Sequence, residues 1–186
     1  MKYSPYESFK HGLTVSKIWL VENTEKHLPK SANVAILGGW SNILSYIMLV
    51  RNHQLYDSIT SFDIDPDAKT VADEICDTWK FEKPTVTNIT QDVNLVDLSS
   101  FNVVINTSLE HMTNNNWFAN IKSGTVVCLQ ATNLSYKEEP WLILNPIKSI
   151  EILKQKFPLT EIHFSGTKEI SYTGWGYKRF MIIGIK

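Results

Sequence analysis

The chain has 186 residues, 43% of them hydrophobic and 20% charged, with a formal net charge of −1. That length predicts one domain over 1–186 whose core stands without disulfides or a structural metal, and the balanced charge excludes a general pull toward nucleic acid or membrane. With no apolar leader over residues 1–7, no membrane-length apolar run, and Cys76 and Cys128 buried in apolar segments without CxxC spacing, the expectation is a cytoplasmic protein with no membrane partner.

In chain order, residues 8–28 read as an N-terminal helical extension with an apolar face of Ile18, Trp19, Leu20, Val21 and Leu28, ended by Pro29. Residues 32–37 are an almost wholly apolar strand. Ser41 and Asn42 then cap a helix over 43–51 that is apolar nearly all round. A strand over 59–62 precedes a helix opened by Pro66, with Ala68, Val71, Ala72 and Ile75 on its inner face. Strands follow over 85–89 and 101–105, a short helix over 117–121, and a fifth strand over 125–130. Asn145 and Pro146 read as cap and first turn of a helix over 147–157. Two last strands, 161–164 and 179–185, are separated by Gly166, Gly174 and Gly176, which allow an antiparallel return.

Strand and helix alternate five times before two closing strands. This order predicts an α/β fold, a doubly wound, mostly parallel seven-stranded sheet with an antiparallel C-terminal edge. In such sheets ligands sit beyond the carboxyl ends of the strands, so the residues just after each strand carry the information.

After the first strand come Gly38, Gly39 and Trp40. The pair of glycines fits either a tight buried turn or a close backbone approach to a ligand. Trp40 and Ile43 stand where a phosphate-cradling loop would need more glycine, so a ligand without phosphates fits better. After the second strand, Asp63 is placed to accept both hydroxyls of a ribose, while Asp65, next to Pro66, is a helix cap or a second contact. Thr90, Gln91 and Asp92 follow the third strand, either as a solvated turn or as readers of an adenine edge. The loop after the fourth strand, Asn106-Thr107-Ser108-Leu109-Glu110-His111, sets two potential general bases side by side. Gln130, Thr132 and Asn133 converge on the same cleft from the fifth strand, and Tyr136, Lys137, Glu138 and Glu139 suit a substrate-facing loop before Trp141.

These landmarks together resemble the class I S-adenosylmethionine-dependent methyltransferases, over about residues 16–186. Narrower segments (Ser16-Lys17-x-Trp19-Leu20, Leu37-Gly-Gly-Trp40, Asn106-Thr-Ser-x-Glu-His111 and Arg179-Phe-Met-Ile-Ile-Gly184) resemble short methyltransferase-like proteins of bacteriophages. The resemblance implies a Rossmann-like methyltransferase fold and S-adenosyl-L-methionine as cofactor. It places Gly38 and Gly39 at the methionine moiety, Asp63 at the ribose and Asp92 near the adenine. Trp40 would wall the methionine end, with Asp65, Asn106 and Ser108 as further candidate contacts. Glu110, His111 and Asn106 are the candidate catalytic residues, facing the transferable methyl. Two departures matter: Trp40 interrupts the family's spaced glycines, and Asn106 is followed by Thr107-Ser108 rather than by the Pro-Pro-aromatic sequence of amino-directed nucleic-acid enzymes.

The expected function is methyl transfer to a small molecule or a small modified group, without a metal. A cofactor-binding module that has lost catalysis and acts as a regulator or anti-host factor is one alternative. An RNA methyltransferase and an NAD-dependent oxidoreductase are the others.

Overall fold

The computed structural model describes residues 9–78, 83–135 and 143–186. Its elements run α1 (His11–Thr24), β1 (Ala32–Leu37), α2 (Ile43–Asn52), β2 (Tyr56–Asp63), α3 (Pro66–Cys76), β3 (Thr85–Thr90), β4 (Val103–Asn106), α4 (Asn116–Ala119), β5 (Val126–Thr132), α5 (Ile150–Lys156), β6 (Glu161–Tyr172) and β7 (Trp175–Ile185). The strands form a single seven-stranded sheet in the order β3-β2-β1-β4-β5-β7-β6. β1 to β5 pair in parallel, β7 returns antiparallel against β5, and β6 closes the edge antiparallel to β7.

Both faces of the sheet are covered, which is why its central strands are continuously apolar rather than alternating. Val34 and Ile36 pack with Leu20 of α1 and Leu44, Met48 and Leu49 of α2. Ala35 and Leu37, one residue out of phase, pack into the opposite cluster with Trp117 and Phe118 of α4 and Leu153 of α5. The period-two alternation of strand side chains thus divides one short run between two cores.

Several expectations are corrected. The first helix ends at Thr24 and passes into one 3-10 turn, Glu25–His27. Of the expected apolar face, Leu20 and Val21 are buried and Trp19 and Leu28 pack against the core, whereas Ile18 is exposed; Gly12, Ser16, Asn23 and Thr24 complete the buried side. Small residues let the helix axis lie close to the sheet, where Gln130 Nε2 donates to the Ser16 carbonyl at 3.0 Å. Helix α2 is apolar nearly all round but is not packed on all sides, since Tyr46 and Val50 are exposed. Asn42 occupies its N-cap position with φ 52° and makes no side-chain cap. Instead its amide donates to Asn88 Oδ1 at 2.8 Å and accepts from Ser45 Oγ at 2.6 Å, tying α2 to β3 in a buried network.

Asn145 and Pro146 do not open α5. That helix starts at Ile150, with the Ser149 hydroxyl accepting the Ile152 N–H at 3.3 Å. The Leu144 and Asn145 N–H groups are committed elsewhere, both donating to the Glu110 carbonyl at 2.9 Å. The two last strands are longer than the sequence suggests, because Gly166 and Gly176 lie inside them. Their pairing runs from Glu161↔Ile185 to Tyr172↔Trp175 with one register shift between Ile162 and Phe164, and Gly174 (φ 83°) makes the turn.

Candidate functional site

The glycine turn after β1 is built by the end of β2. Gly38 and Gly39 both donate their N–H groups to the Phe62 carbonyl, at 2.9 and 3.1 Å. Gly38 has φ 68°, and a Cβ there would lie 2.7 Å from Ser108 Cβ; a Cβ on Gly39 would lie 1.9 Å from Ser61 Oγ. Both glycines are therefore demanded by the protein's own packing. The turn goes on into Trp40, at φ 49°, a left-handed conformation uncommon for a bulky residue.

Asp63 holds that turn in place. Its Oδ2 accepts the Trp40 N–H at 2.8 Å and its Oδ1 accepts the Asp65 N–H at 3.0 Å. Burial pushes the carboxyl above the usual carboxylate range, opposed by the backbone donors. Asp65 is the N-cap of α3, its carboxylate accepting the Asp67 N–H at 2.9 Å. Asp92 plays the same local part for a 3-10 turn, with Oδ1 accepting from the backbone and side-chain nitrogens of Asn94 at 2.9 and 2.8 Å.

The loop after β4 closes over the glycine turn. Ser108 Oγ donates to the Gly38 carbonyl at 2.8 Å, and Asn106, wholly buried, accepts the Ser108 N–H at 2.9 Å. Asn106 shapes the loop from behind. The next residues form a 3-10 turn, Leu109–His111, which sends Glu110 inward while His111 stays exposed.

A cleft of about 90 Å³, room for several waters or one end of a small ligand, opens where these pieces meet. It brings together Gly38, Gly39, Trp40, Ser108, Glu110 and His111 of the sequence-predicted residues, together with Gln130; Asp63, Asp65, Asp92 and Asn106 do not line it. Thr132 and Asn133 are turned to β7, bonding to the Lys178 backbone. Tyr136, Lys137, Glu138, Glu139 and Trp141 lie outside the described residues.

Two lining residues were not foreseen. Arg179, at the start of the buried part of β7, donates from Nη1 to Glu110 Oε1 at 3.3 Å, with both residues buried. Lys17, from the middle of α1, faces the same pair. Burial, with the Arg179 charge adding to it and Glu110 opposing, lowers its pKa to about 8. No spacing rule could have joined Lys17 to Arg179, since only the close docking of α1 brings them together.

No protein-family model matches this chain, and no curated protein matches it in sequence. Solved structures do. The chain is similar to YcgJ from Bacillus subtilis, with TM-score 0.67 and 10% identity, over 90% of this chain and 98% of that one. It is also similar to magnesium protoporphyrin IX methyltransferase from Synechocystis, solved with bound S-adenosylhomocysteine, with TM-score 0.60 and 14% identity over 92% and 80% of the two chains. A third likeness is to the [4+2]-cyclase SpnF, with TM-score 0.63 and 12% identity over 90% and 80%. At these identities the likeness is one of fold. The chain has the α/β Rossmann-like fold of the class I methyltransferases.

Proposed function

We propose that residues 1–186 form one S-adenosylmethionine-binding unit that transfers the methyl group to a small molecule. The observation that carries this reading is Asp63 at the carboxyl end of β2, locked to the glycine turn in a fold whose neighbour holds S-adenosylhomocysteine. The residues fit the cofactor. Asp63 accepts the Trp40 N–H on one oxygen and the Asp65 N–H on the other, and the carboxylate keeps acceptor capacity for the ribose. Asp92 bonds to Asn94 through one oxygen only, leaving the other for an adenine edge. Gly38, Gly39, Trp40 and Ser108 then face the methionine end from the cleft.

The cofactor supplies an electrophilic methyl on a sulfonium; what remains for the chain is positioning and removal of one proton. His111, exposed at the cleft, is our choice as proton acceptor, because Glu110 is engaged by Arg179. Glu110 is better suited to holding the loop. The narrower likeness to bacteriophage proteins rests on the sequence segments alone.

A second reading, a binding module without turnover, is favoured by one observation. The N–H groups of Gly38, Gly39 and Trp40 are all spent inside the protein. SpnF, a [4+2]-cyclase, illustrates that this fold does not dictate one chemistry.

Tryptophan-emission titration tests the cofactor assignment. S-adenosylhomocysteine is expected to saturate and NAD is not. Asp63→Ala removes two charge-assisted ribose bonds and is expected to weaken binding by about 2–4 kcal/mol. Unchanged affinity in a folded Asp63→Ala protein would falsify the assignment.

A further inference from the structure

Three charged side chains from three distant parts of the chain meet in the cleft: Lys17 from α1, Glu110 from the loop after β4, and Arg179 from β7. One carboxylate serves two cations. Arg179 and Glu110 are 6% and 2% exposed, and among the described residues Arg179 Nε has no acceptor and Glu110 Oε2 has no donor. The Lys17 ammonium makes no hydrogen bond to a described residue, and its charge is opposed by that of Arg179. Leu13, Ile43 and Leu44 line the same space. A surplus positive charge beside the unpaired Arg179 Nε–H and an apolar wall is unfavourable until an anion accepts from it.

The place of this cluster separates it from the cofactor's nucleoside end. Asp63 and Asp92 stand at the ends of β2 and β3, on one side of β1 in the sheet order, whereas β4, β5 and β7 lie on the other. Arg179 pairs in register with Thr132, the last residue of β5, so it emerges at the carboxyl edge of the parallel strands. The charge balance, two cations against one carboxylate, matches a monoanion. The apolar wall of Leu13, Ile43 and Leu44 suits a carboxylate attached to a compact apolar body.

Resting on the methyltransferase reading, we infer that Lys17 and Arg179 form a subsite for the carboxylate of the methyl acceptor, which is therefore a small apolar monocarboxylic acid. The carboxylate would take Arg179 Nε and the Lys17 ammonium, leaving the Arg179–Glu110 pair intact. The other source of the same chemistry is the amino-acid carboxylate of the cofactor itself.

The experiment uses the full chain saturated with S-adenosylhomocysteine and measures binding of benzoate and of its neutral counterpart benzamide by ligand-observed NMR. Benzoate is expected to bind at least tenfold more tightly than benzamide. Lys17→Met, which leaves the buried pair untouched, is expected to abolish that preference while S-adenosylhomocysteine affinity stays within twofold. The double variant Arg179→Gln with Glu110→Gln, which leaves no buried charge unpaired, is expected to abolish the preference as well. Equal binding of benzoate and benzamide, or a preference that survives both variants, overturns the subsite. So does a tenfold loss of S-adenosylhomocysteine affinity in Lys17→Met with methylthioadenosine affinity unchanged, because the cations would then hold the cofactor's carboxylate. Failure of the unmodified protein to bind S-adenosylhomocysteine at all sinks the methyltransferase reading first, and the acceptor subsite with it.

Discussion

Lys17 has a low pKa first because burial strips water from its amine, and then because the Arg179 charge repels it. The Glu110 carboxylate opposes both but is already paired with Arg179. With a folded-state pKa of about 8 against an ordinary 10.5, the fold destabilises the charged amine at neutral pH. Between those two values the unfolded chain keeps a proton that the folded chain has released, so stability contributed by this group rises with pH across that window. Lys17→Met is therefore expected to be more stable than the unmodified protein at pH 7, by about 1–3 kcal/mol. The advantage should shrink as pH is raised from about 8 toward 10.5. Urea unfolding at three pH values checks this, and a variant that is less stable, or an advantage that ignores pH, refutes it. A cation kept at a cost in stability is what a binding group looks like.

Between β2 and α3, two acids two residues apart do different work. Asp63 ends the strand and accepts from the glycine turn, whereas Asp65 caps the following helix. Asp65→Ala is expected to lower stability by about 0.5–2 kcal/mol, the usual range for a lost N-cap. S-adenosylhomocysteine affinity should stay unchanged, because the Asp65 N–H that supports Asp63 is backbone and survives the substitution. Calorimetric titration alongside thermal unfolding separates the two effects, and a tenfold affinity loss would return Asp65 to the ligand. The same contrast governs how much was legible beforehand. Strands β1, β4 and β5 stand out as apolar runs because burial on both faces leaves no polar alternation, and the helix start at Pro66 is local chemistry. The start of α5 was misread because Asn145, which suits a cap, is drawn instead to the Glu110 carbonyl. Of the site, the residues following strands were readable from topology; Lys17 and Arg179 were not, since their partner lies far off in sequence.

At the scale of the whole molecule, the cleft depends on α1 resting against the β6–β7 hairpin. Trp19 meets Phe164 edge-on at one end of this contact, and at the other Gly12 donates its N–H to the Tyr172 hydroxyl at 2.9 Å. A Cβ there would lie 2.3 Å from the Tyr177 hydroxyl oxygen and 2.6 Å from that of Tyr172. Those tyrosines are not free to swing away, because Tyr172 stacks on Trp175 at 4.5 Å and Trp175 on Tyr177 at 6.0 Å. Gly12→Val should therefore lift the first turn of α1 rather than displace the rings. The far end of α1 stays anchored by Leu20 and Val21 in the core that α2 shares, and α4 and α5 cover the other face, so loosening of the first turns need not spread through the sheet. Amide exchange over residues 11–20 is expected to quicken at least tenfold while β4 and β5 keep their protection. Because Lys17 travels with that helix, benzoate affinity should fall in Gly12→Val although neither cation has been altered. Unchanged exchange in α1, or faster exchange there with benzoate binding intact, would show that the helix does not hold the cleft together.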